Sequence, residues 1–131
     1  MAEFQLDEIR VFENYSLEKM GDGHVLLTTD VTEHSLNYYG NAHGGYLFTL
    51  CDQVSGLVAI STGYEAVTLQ SNINYLKAGH LGDRLTVEGK CLHNGRTTKI
   101  VQVSIHNQKQ EQLATASFTM FVTGERKQDE K

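Results

Sequence analysis

The chain has 131 residues, 40% of them hydrophobic, which is enough for one ordinary domain with a core of its own. Its 11 basic residues are scattered singly among 16 acidic ones, for a net charge of −5, and this pattern argues against a nucleic acid partner. No segment reaches the roughly 20 apolar residues of a membrane span, and the N-terminus lacks a basic and apolar leader, which predicts a cytoplasmic protein without a membrane partner.

The first predicted element is a β-hairpin. Its second strand, His24 to Val31, follows the turn signal Gly-Asp-Gly at positions 21–23. The segment ENYSLEKM, which ends immediately before that turn, is the candidate first strand. The two strands should therefore be antiparallel neighbours.

A helix from Tyr46 to Ile60 is the next predicted element, and apolar residues cover most of its circumference. Such a helix should be buried on nearly all sides, which a flat sheet cannot achieve, so the pattern favours a curled sheet and a second copy of the chain. Asp52 is the one charged residue in this stretch. Because an isolated buried charge costs several kcal/mol unless it is paired, its presence indicates a function.

Four further strands are predicted after the helix. The last is the clearest, because apolar residues at positions 114, 116, 118, 120 and 122 alternate with polar ones. Asn94-Gly95 is typical of two-residue hairpin turns, so the second and third of these strands should be antiparallel neighbours. Short connections predict a meander, and residues 124–131 should form a frayed tail. The strands are Ala66 to Lys77, Arg84 to His93, Thr97 to Asn107 and Glu111 to Val122.

The cysteines and histidines do not form a metal-ligand pattern. Cys51 and Cys91 lack CxxC spacing and are interpreted as reduced apolar residues. The six histidines are at least nine residues apart, so none forms a helical ligand pair. We also reject a nucleophilic Cys51 beside His43, because the thiol would have to leave an apolar setting. No metal site is predicted.

One run of residues between Asn37 and Asp52 suggests a family. The run resembles the signature of hotdog-fold acyl-CoA thioesterases of the PaaI-like, phenylacetate-pathway family, and the resemblance extends from about Tyr15 to Val122. It implies one α+β hotdog domain with a core over about residues 15–123, in which a curled antiparallel sheet of five to six strands wraps a long central helix. The run reads Asn37-x-x-Gly40-x-x-His43-Gly44-Gly45-x-x-x-x-Leu50-x-Asp52.

The glycine pair of this run would open the helix. Free backbone N–H groups and the positive end of the helix dipole gather there and can stabilise a developing oxyanion, and glycines allow a thioester carbonyl to approach closely. The resemblance implies that the N–H of Gly44 is the oxyanion donor beside Gly45, and that Asn37 and His43 orient the carbonyl or a water. On its own, the glycine pair would equally suit a tight turn, and His43 a structural role.

The resemblance implies that Asp52 is either a general base that activates water or a nucleophile that forms a transient acyl anhydride. A structural pairing of Asp52 with a neighbouring polar group is the alternative. Asp52 lies eight residues beyond Gly44, a displacement of about 12 Å along one helix, so the two cannot touch one carbonyl. A shared site would need antiparallel helices from two subunits, and we expect a homo-oligomer, a dimer at minimum and more specifically a dimer of dimers.

Two further segments match positions used in the family. Thr68 lies in the strand after the helix, where relatives carry a hydroxyl that holds the attacking water or the carboxylate, although an ordinary strand threonine fits as well. The stretch Asn94-Gly95-Arg96-Thr97-Thr98 resembles the hairpin that approaches the nucleotide end of coenzyme A in many relatives, and Arg96 would suit a phosphate. A solvated surface arginine is the alternative.

The resemblance implies hydrolysis of an acyl-CoA thioester to free coenzyme A and a carboxylic acid, with no cofactor. A hotdog protein that binds or senses acyl-CoA without turnover is the second possibility. We favour the enzyme, because a non-catalytic binder has no use for a buried charge at Asp52. A hydroxyacyl thioester dehydratase would need a histidine and an acid in a different surrounding motif, which the sequence lacks.

Overall fold

The computed structural model describes residues 5–126, which form one long helix packed against a six-stranded sheet. All neighbouring strands are antiparallel. The predicted α+β architecture, a long helix against a curled antiparallel sheet, is confirmed. The elements are β1 (Ser16–Gly21), β2 (His24–Asp30), a short 3-10 helix (Glu33–Ser35), α1 (Gly44–Ser61), β3 (Tyr64–Tyr75), β4 (Arg84–Asn94), β5 (Thr98–His106) and β6 (Gln112–Glu125).

The helix α1 is slightly longer than predicted. It begins at Gly44 and ends at Ser61, where the N–H groups of the next two residues donate to its last carbonyls. Gly63 has a φ of +96°, a left-handed conformation that glycine adopts without steric cost. Within residues 5–126, no helix has the length and apolar character needed to cross a membrane.

The core lies between α1 and the covered face of the sheet. Val54 and Val58 of the helix are fully buried in one apolar cluster with Val87 and Val103 of the central strands. Gly89 of β4 lies at the closest approach, because a Cβ atom there would be 2.7 Å from a methyl group of Val54 and 2.8 Å from one of Val58. The helix therefore packs directly on the backbone of β4.

The predicted N-terminal hairpin is confirmed. Gly21 of β1 pairs with His24 of β2, and the two residues between them, Asp22 and Gly23, have φ angles of +49° and +79°. Positive φ at both central positions is the geometry that Asp-Gly favours in a two-residue hairpin turn.

The hairpin between β4 and β5 is confirmed, but its turn lies two residues later than predicted. Asn94 pairs with Lys99, and the N–H of Gly95 donates to the carbonyl of Thr98, so Arg96 and Thr97 form the turn. A register shift between Cys91 and His93 changes which residues of β4 and β5 lie opposite each other. The ammonium of the buried Lys99 donates hydrogen bonds to the Asn94 side chain and to the Gly95 carbonyl. These contacts outweigh the turn preference of the Asn-Gly dipeptide.

The predicted meander is wrong for β3. The strand order across the sheet is β1-β2-β4-β5-β6-β3, so β3 pairs with β6 at the edge, and β4 pairs with β2. The reason is that β3 runs back along the helix it follows, from Tyr64 to Tyr75, and Tyr75 reaches the first residue of α1. β3 therefore follows α1 closely in the sequence because it packs along the helix, although it does not pair with β4.

The predicted frayed tail is wrong for its first residues. β6 continues to Glu125, and Gly124 pairs with Glu65 of β3. Arg126 forms an ion pair with the Glu65 carboxylate at 3.1 Å. The remainder of that predicted tail, residues 127–131, lies outside the described residues.

We predict that Gly89→Ala destabilises the protein, because the added methyl group would overlap Val54 and Val58. The free energy of unfolding, measured with urea, should fall by about 1–3 kcal/mol, the usual range for overpacking a core. Gly21→Ala is the matched control, because a Cβ atom at Gly21 meets no atom within 4 Å. Equal stability of the two variants would contradict the close helix-to-sheet contact.

Candidate active site

The carboxylate of Asp52 lies on an exposed side of α1 and is bonded to β3. The hydroxyl of Thr68 donates to its Oδ1 at 3.0 Å. Both residues line a cavity of about 400 Å³, together with Gln53 and Gly56 of the helix. This bond matches one of the two roles that the resemblance implied for Thr68, and it is also the polar pairing given as the alternative for Asp52.

The expectation that α1 is buried on nearly all sides is wrong for the single chain. Asp52 and Gln53 are exposed, because the curled sheet covers one side of the helix and leaves the opposite side open. The apolar residues that suggested full burial include Leu57 and Ile60, which are partly exposed. Asp52 therefore carries no burial cost in one chain, and the argument that its charge must be functional loses that support.

A second cavity, of about 380 Å³, lies at the start of α1. Gly44, Asn37 and Tyr75 are among its lining residues. Gly44 is the first helical residue, and its N–H has no acceptor among residues 5–126. Because free N–H groups and the positive end of the helix dipole coincide here, the cavity suits an oxygen that carries negative charge.

His43 caps the helix. Its Nδ1 accepts the N–H of Gly45 at 2.9 Å, so that ring nitrogen carries no hydrogen and the Gly45 N–H is already bonded. A Cβ atom at Gly45 would lie 3.1 Å from the same nitrogen, so the imidazole occupies the space of the missing side chain. The structural role that the sequence left open for His43 is therefore present.

Asn37 holds the loop before the helix. Its Oδ1 accepts the N–H groups of Tyr39 and Asn41 at 3.0 and 3.1 Å. Gly40 completes the turn with a φ of +84°. Since the oxygen of the Asn37 side chain is occupied, its NH₂ group is the part that remains available to a substrate in the adjoining cavity.

The predicted site residues fall into three groups on one chain. The first group is at the start of α1, where Asn37 and Gly44 line one cavity and His43 is bonded to Gly45. Asp52 and Thr68 form the second group and line a separate cavity. Gly44 and Asp52 do not share a cavity, in agreement with the expected displacement of about 12 Å along the helix. The third group, Arg96 and Thr97, is exposed in its hairpin and lines neither cavity.

Tyr75 is a residue of the site that the sequence reasoning missed. Its hydroxyl donates to the Gly44 carbonyl at 2.8 Å. Strict alternation would place Tyr75 and Thr68, seven residues apart, on opposite faces of β3. A register shift between Thr68 and Gln70 changes the alternation, so both side chains reach the helix.

Cys51 is excluded as a nucleophile by its surroundings. Burial raises the pKa of its thiol to about 12, and the negative charge of Asp52 acts in the same direction. Among residues 5–126, no three histidine, cysteine or carboxylate side chains come close enough to hold a metal ion.

Comparison with known proteins identifies the family. The model of the thioesterase superfamily matches residues 39–114, more than half of the chain. The chain belongs to the thioesterase superfamily. This thioesterase is also 35% identical over 95 residues to the acyl-coenzyme A thioesterase PaaI of Escherichia coli K12, covering 72% of this chain and 68% of that protein. The PaaI-like resemblance is thereby confirmed, and the protein is a thioester hydrolase.

Two similar solved structures contain coenzyme A or a derivative. A thioesterase protein of Streptococcus pneumoniae TIGR4, described as hypothetical and solved with coenzyme A, is 64% identical, with a TM-score of 0.93 over 95% of this thioesterase and 100% of that chain. A Streptococcus mutans UA159 protein bound to acetyl CoA is 63% identical, with a TM-score of 0.87 and the same coverage. The S. pneumoniae protein has also been solved as Asp52Ala and Thr68Ala variants. These similarities confirm the hotdog fold.

We predict that His43→Ala lowers stability through loss of the helix cap. The free energy of unfolding should fall by about 1 kcal/mol, as for other N-cap deletions. His43→Asn should recover most of this loss, because asparagine also provides a side-chain acceptor for the Gly45 N–H. Urea unfolding of the three proteins measures the effect, and equal stability of the Ala variant and wild type would exclude a capping role.

Proposed function

We propose that this thioesterase hydrolyses acyl-CoA to free coenzyme A and a carboxylic acid. The observation that carries the proposal is the hydrogen bond from Thr68 to the exposed carboxylate of Asp52 on α1. The first N–H group of the same helix, that of Gly44, has no acceptor among residues 5–126. A solvent-accessible carboxylate can activate water and a free N–H can stabilise the oxyanion, which are the two contributions that the proposed hydrolysis uses. The acyl-CoA substrate is supported by the E. coli relative and by the two streptococcal structures.

In the proposed reaction, Asp52 removes a proton from water while the water oxygen attacks the thioester carbonyl. The carbonyl oxygen becomes an oxyanion that accepts a hydrogen bond from the Gly44 N–H at the positive end of α1. When the tetrahedral intermediate collapses, the carbon–sulfur bond breaks, the coenzyme A thiolate takes up the proton held by Asp52, and the acid is released. Thr68 holds the carboxylate in position, and Asn37 donates its NH₂ group toward the carbonyl.

Direct attack by Asp52 is the second form of the same reaction. The carboxylate would displace the coenzyme A thiolate and form an acyl anhydride, which water then hydrolyses. The exposed position of Asp52 permits either form.

The proposed site is shared by two subunits. On one chain, Gly44 and Asp52 line different cavities, so a thioester would contact the Gly44 end of one helix and the Asp52 side of another. β3 supports an interface beside Asp52: it is the edge strand, and its Val67 and Leu69 side chains are 52% and 61% exposed. A dimer is the minimum assembly of this proposal, and a dimer of dimers is the expected one.

The hairpin with Arg96 and Thr97 is the proposed contact for the nucleotide end of coenzyme A. Arg96 is exposed and has no ion-pair partner among residues 5–126, whereas Arg84 and Arg126 are paired with carboxylates. An exposed guanidinium without an ion-pair partner can donate two parallel hydrogen bonds to a phosphate. Gly45 contributes indirectly, because its missing side chain leaves room for the His43 imidazole that caps the helix start.

We predict that Asp52→Asn lowers the turnover number by about a hundredfold or more, because the amide keeps the size of the side chain but cannot act as a base. The oligomer should still form, as measured by size-exclusion chromatography with light scattering. Acyl-CoA hydrolysis is followed by thiol release. Near-normal turnover would remove Asp52 from the chemistry.

We predict that two inactive variants restore activity when their subunits are mixed. Gly44→Pro removes the oxyanion N–H at the first helical position, where the extended His43 before it is compatible with proline. With Asp52→Asn as the second chain, half of randomly reassorted dimers are mixed, and each has one intact site. About a quarter of wild-type activity should return.

The folding of the Gly44→Pro chain must be checked, because an added Cβ atom would lie 3.2 Å from the Tyr75 hydroxyl. Circular dichroism provides this control, and differently tagged subunits provide a measure of exchange. Exchange without any recovered activity would contradict a shared site.

A further inference from the structure

The side chain of Tyr75 packs against the first peptide unit of α1. Its hydroxyl donates to the Gly44 carbonyl, and the aromatic ring covers the same residue. A Cβ atom at position 44 would be 3.2 Å from the phenolic oxygen and 3.3 Å from the ring carbon Cζ. The tyrosine therefore occupies the space that any side chain at position 44 would need.

The peptide unit between Gly44 and Gly45 is held at both ends. Its carbonyl accepts from Tyr75 at 2.8 Å, and its N–H donates to Nδ1 of His43 at 2.9 Å. Two successive glycines have more backbone freedom than any other pair, so an unrestrained helix start here would fluctuate. A hydrogen-bond donor stabilises an oxyanion best when its direction is fixed before the reaction.

We propose that Tyr75 is a positioning residue for the oxyanion donor: its hydroxyl fixes the Gly44–Gly45 peptide so that the neighbouring Gly44 N–H points into the cavity. This inference rests on the proposed function of Gly44. Tyr75 transfers no proton in this role and acts through the backbone.

The protonation state of the phenol agrees with such a role. Burial raises the pKa of Tyr75, and the nearby Cys51 adds to the shift. The hydroxyl therefore remains a donor above the pH at which an ordinary tyrosine loses its proton.

Thr68 and Tyr75 make β3 a support for both halves of the site. Thr68 contacts Asp52, and Tyr75 contacts the helix start, so one strand orients a carboxylate and a backbone donor. If two subunits share each site as proposed, Thr68 of a given chain serves one of the two sites in the dimer, and Tyr75 of the same chain serves the other. A loss at Tyr75 should therefore affect the centre that uses the Gly44 N–H of the same chain.

The kinetic test compares Tyr75→Phe with Ser61→Ala. Phenylalanine keeps the ring and removes the hydroxyl, and the turnover number should fall about tenfold, the kinetic equivalent of one hydrogen bond. The Michaelis constant should stay within twofold, because the ring still fills its place beside the cavity. In Ser61→Ala, at the other end of α1, the hydroxyl that donates to the Val58 carbonyl and accepts the Gly23 N–H is lost, so this variant is the control for a loss of stability away from the site.

Both variants should lose similar thermal stability, but Ser61→Ala should keep its turnover number. A turnover number of Tyr75→Phe within twofold of wild type would overturn the proposal. An equal loss of turnover in Ser61→Ala would do the same, because it would trace the defect to stability.

An independent test measures amide hydrogen exchange in protein labelled with ¹⁵N-glycine, which contains 12 glycines. Tyr75→Phe should accelerate exchange several-fold at Gly45, whose N–H is bonded to His43, and leave Gly56, in the middle of α1, unchanged. Unaltered exchange at Gly45 would overturn the positioning role. Because exchange does not depend on catalysis, an absence of acyl-CoA hydrolysis in wild type would refute the proposed function separately.

Discussion

The position of both candidate half-sites depends on the close contact between α1 and β4 at Gly89. Val54 and Val58 face this glycine, which fixes the rotation of the helix about its axis. The side that points away then carries Asp52 and Gln53. Since each residue advances the helix by about 100°, a slip that moved Asp52 to the place of the buried Cys51 would turn its carboxylate toward the core, where an unpaired charge is strongly destabilising.

Much of the fold could be predicted from the sequence, because the local signals are strong. The helix, the N-terminal hairpin and the last strand follow from apolar periodicity and from turn residues whose φ angles are positive. The place of β3 in the sheet could not be predicted in this way. A strand's neighbours are decided by contacts distant in sequence, and β3 follows the helix to the edge.

The candidate site was only partly accessible to sequence reasoning. The place of His43 and Gly44 at the helix start follows from the spaced motif, and the contact of Thr68 with the carboxylate was one of two roles that the resemblance implied for it. The exposure of Asp52 was missed because an apolar helix surface has the same composition whether a core or a second subunit covers it. Tyr75 was missed because a bulge breaks the alternation on which the reasoning depends.

The open edge of β3 has a consequence for how the protein matures in a cell. In this 12-residue strand the backbone donors and acceptors of alternate residues face the open edge, and apolar side chains such as Val67 and Leu69 accompany them. An unprotected edge of this length is a template for pairing with any extended chain, so a newly made monomer is prone to aggregate until the edge is covered. In the proposed dimer, assembly and misassembly would therefore compete for the same strand, and the rate at which subunits meet would set the yield of native protein.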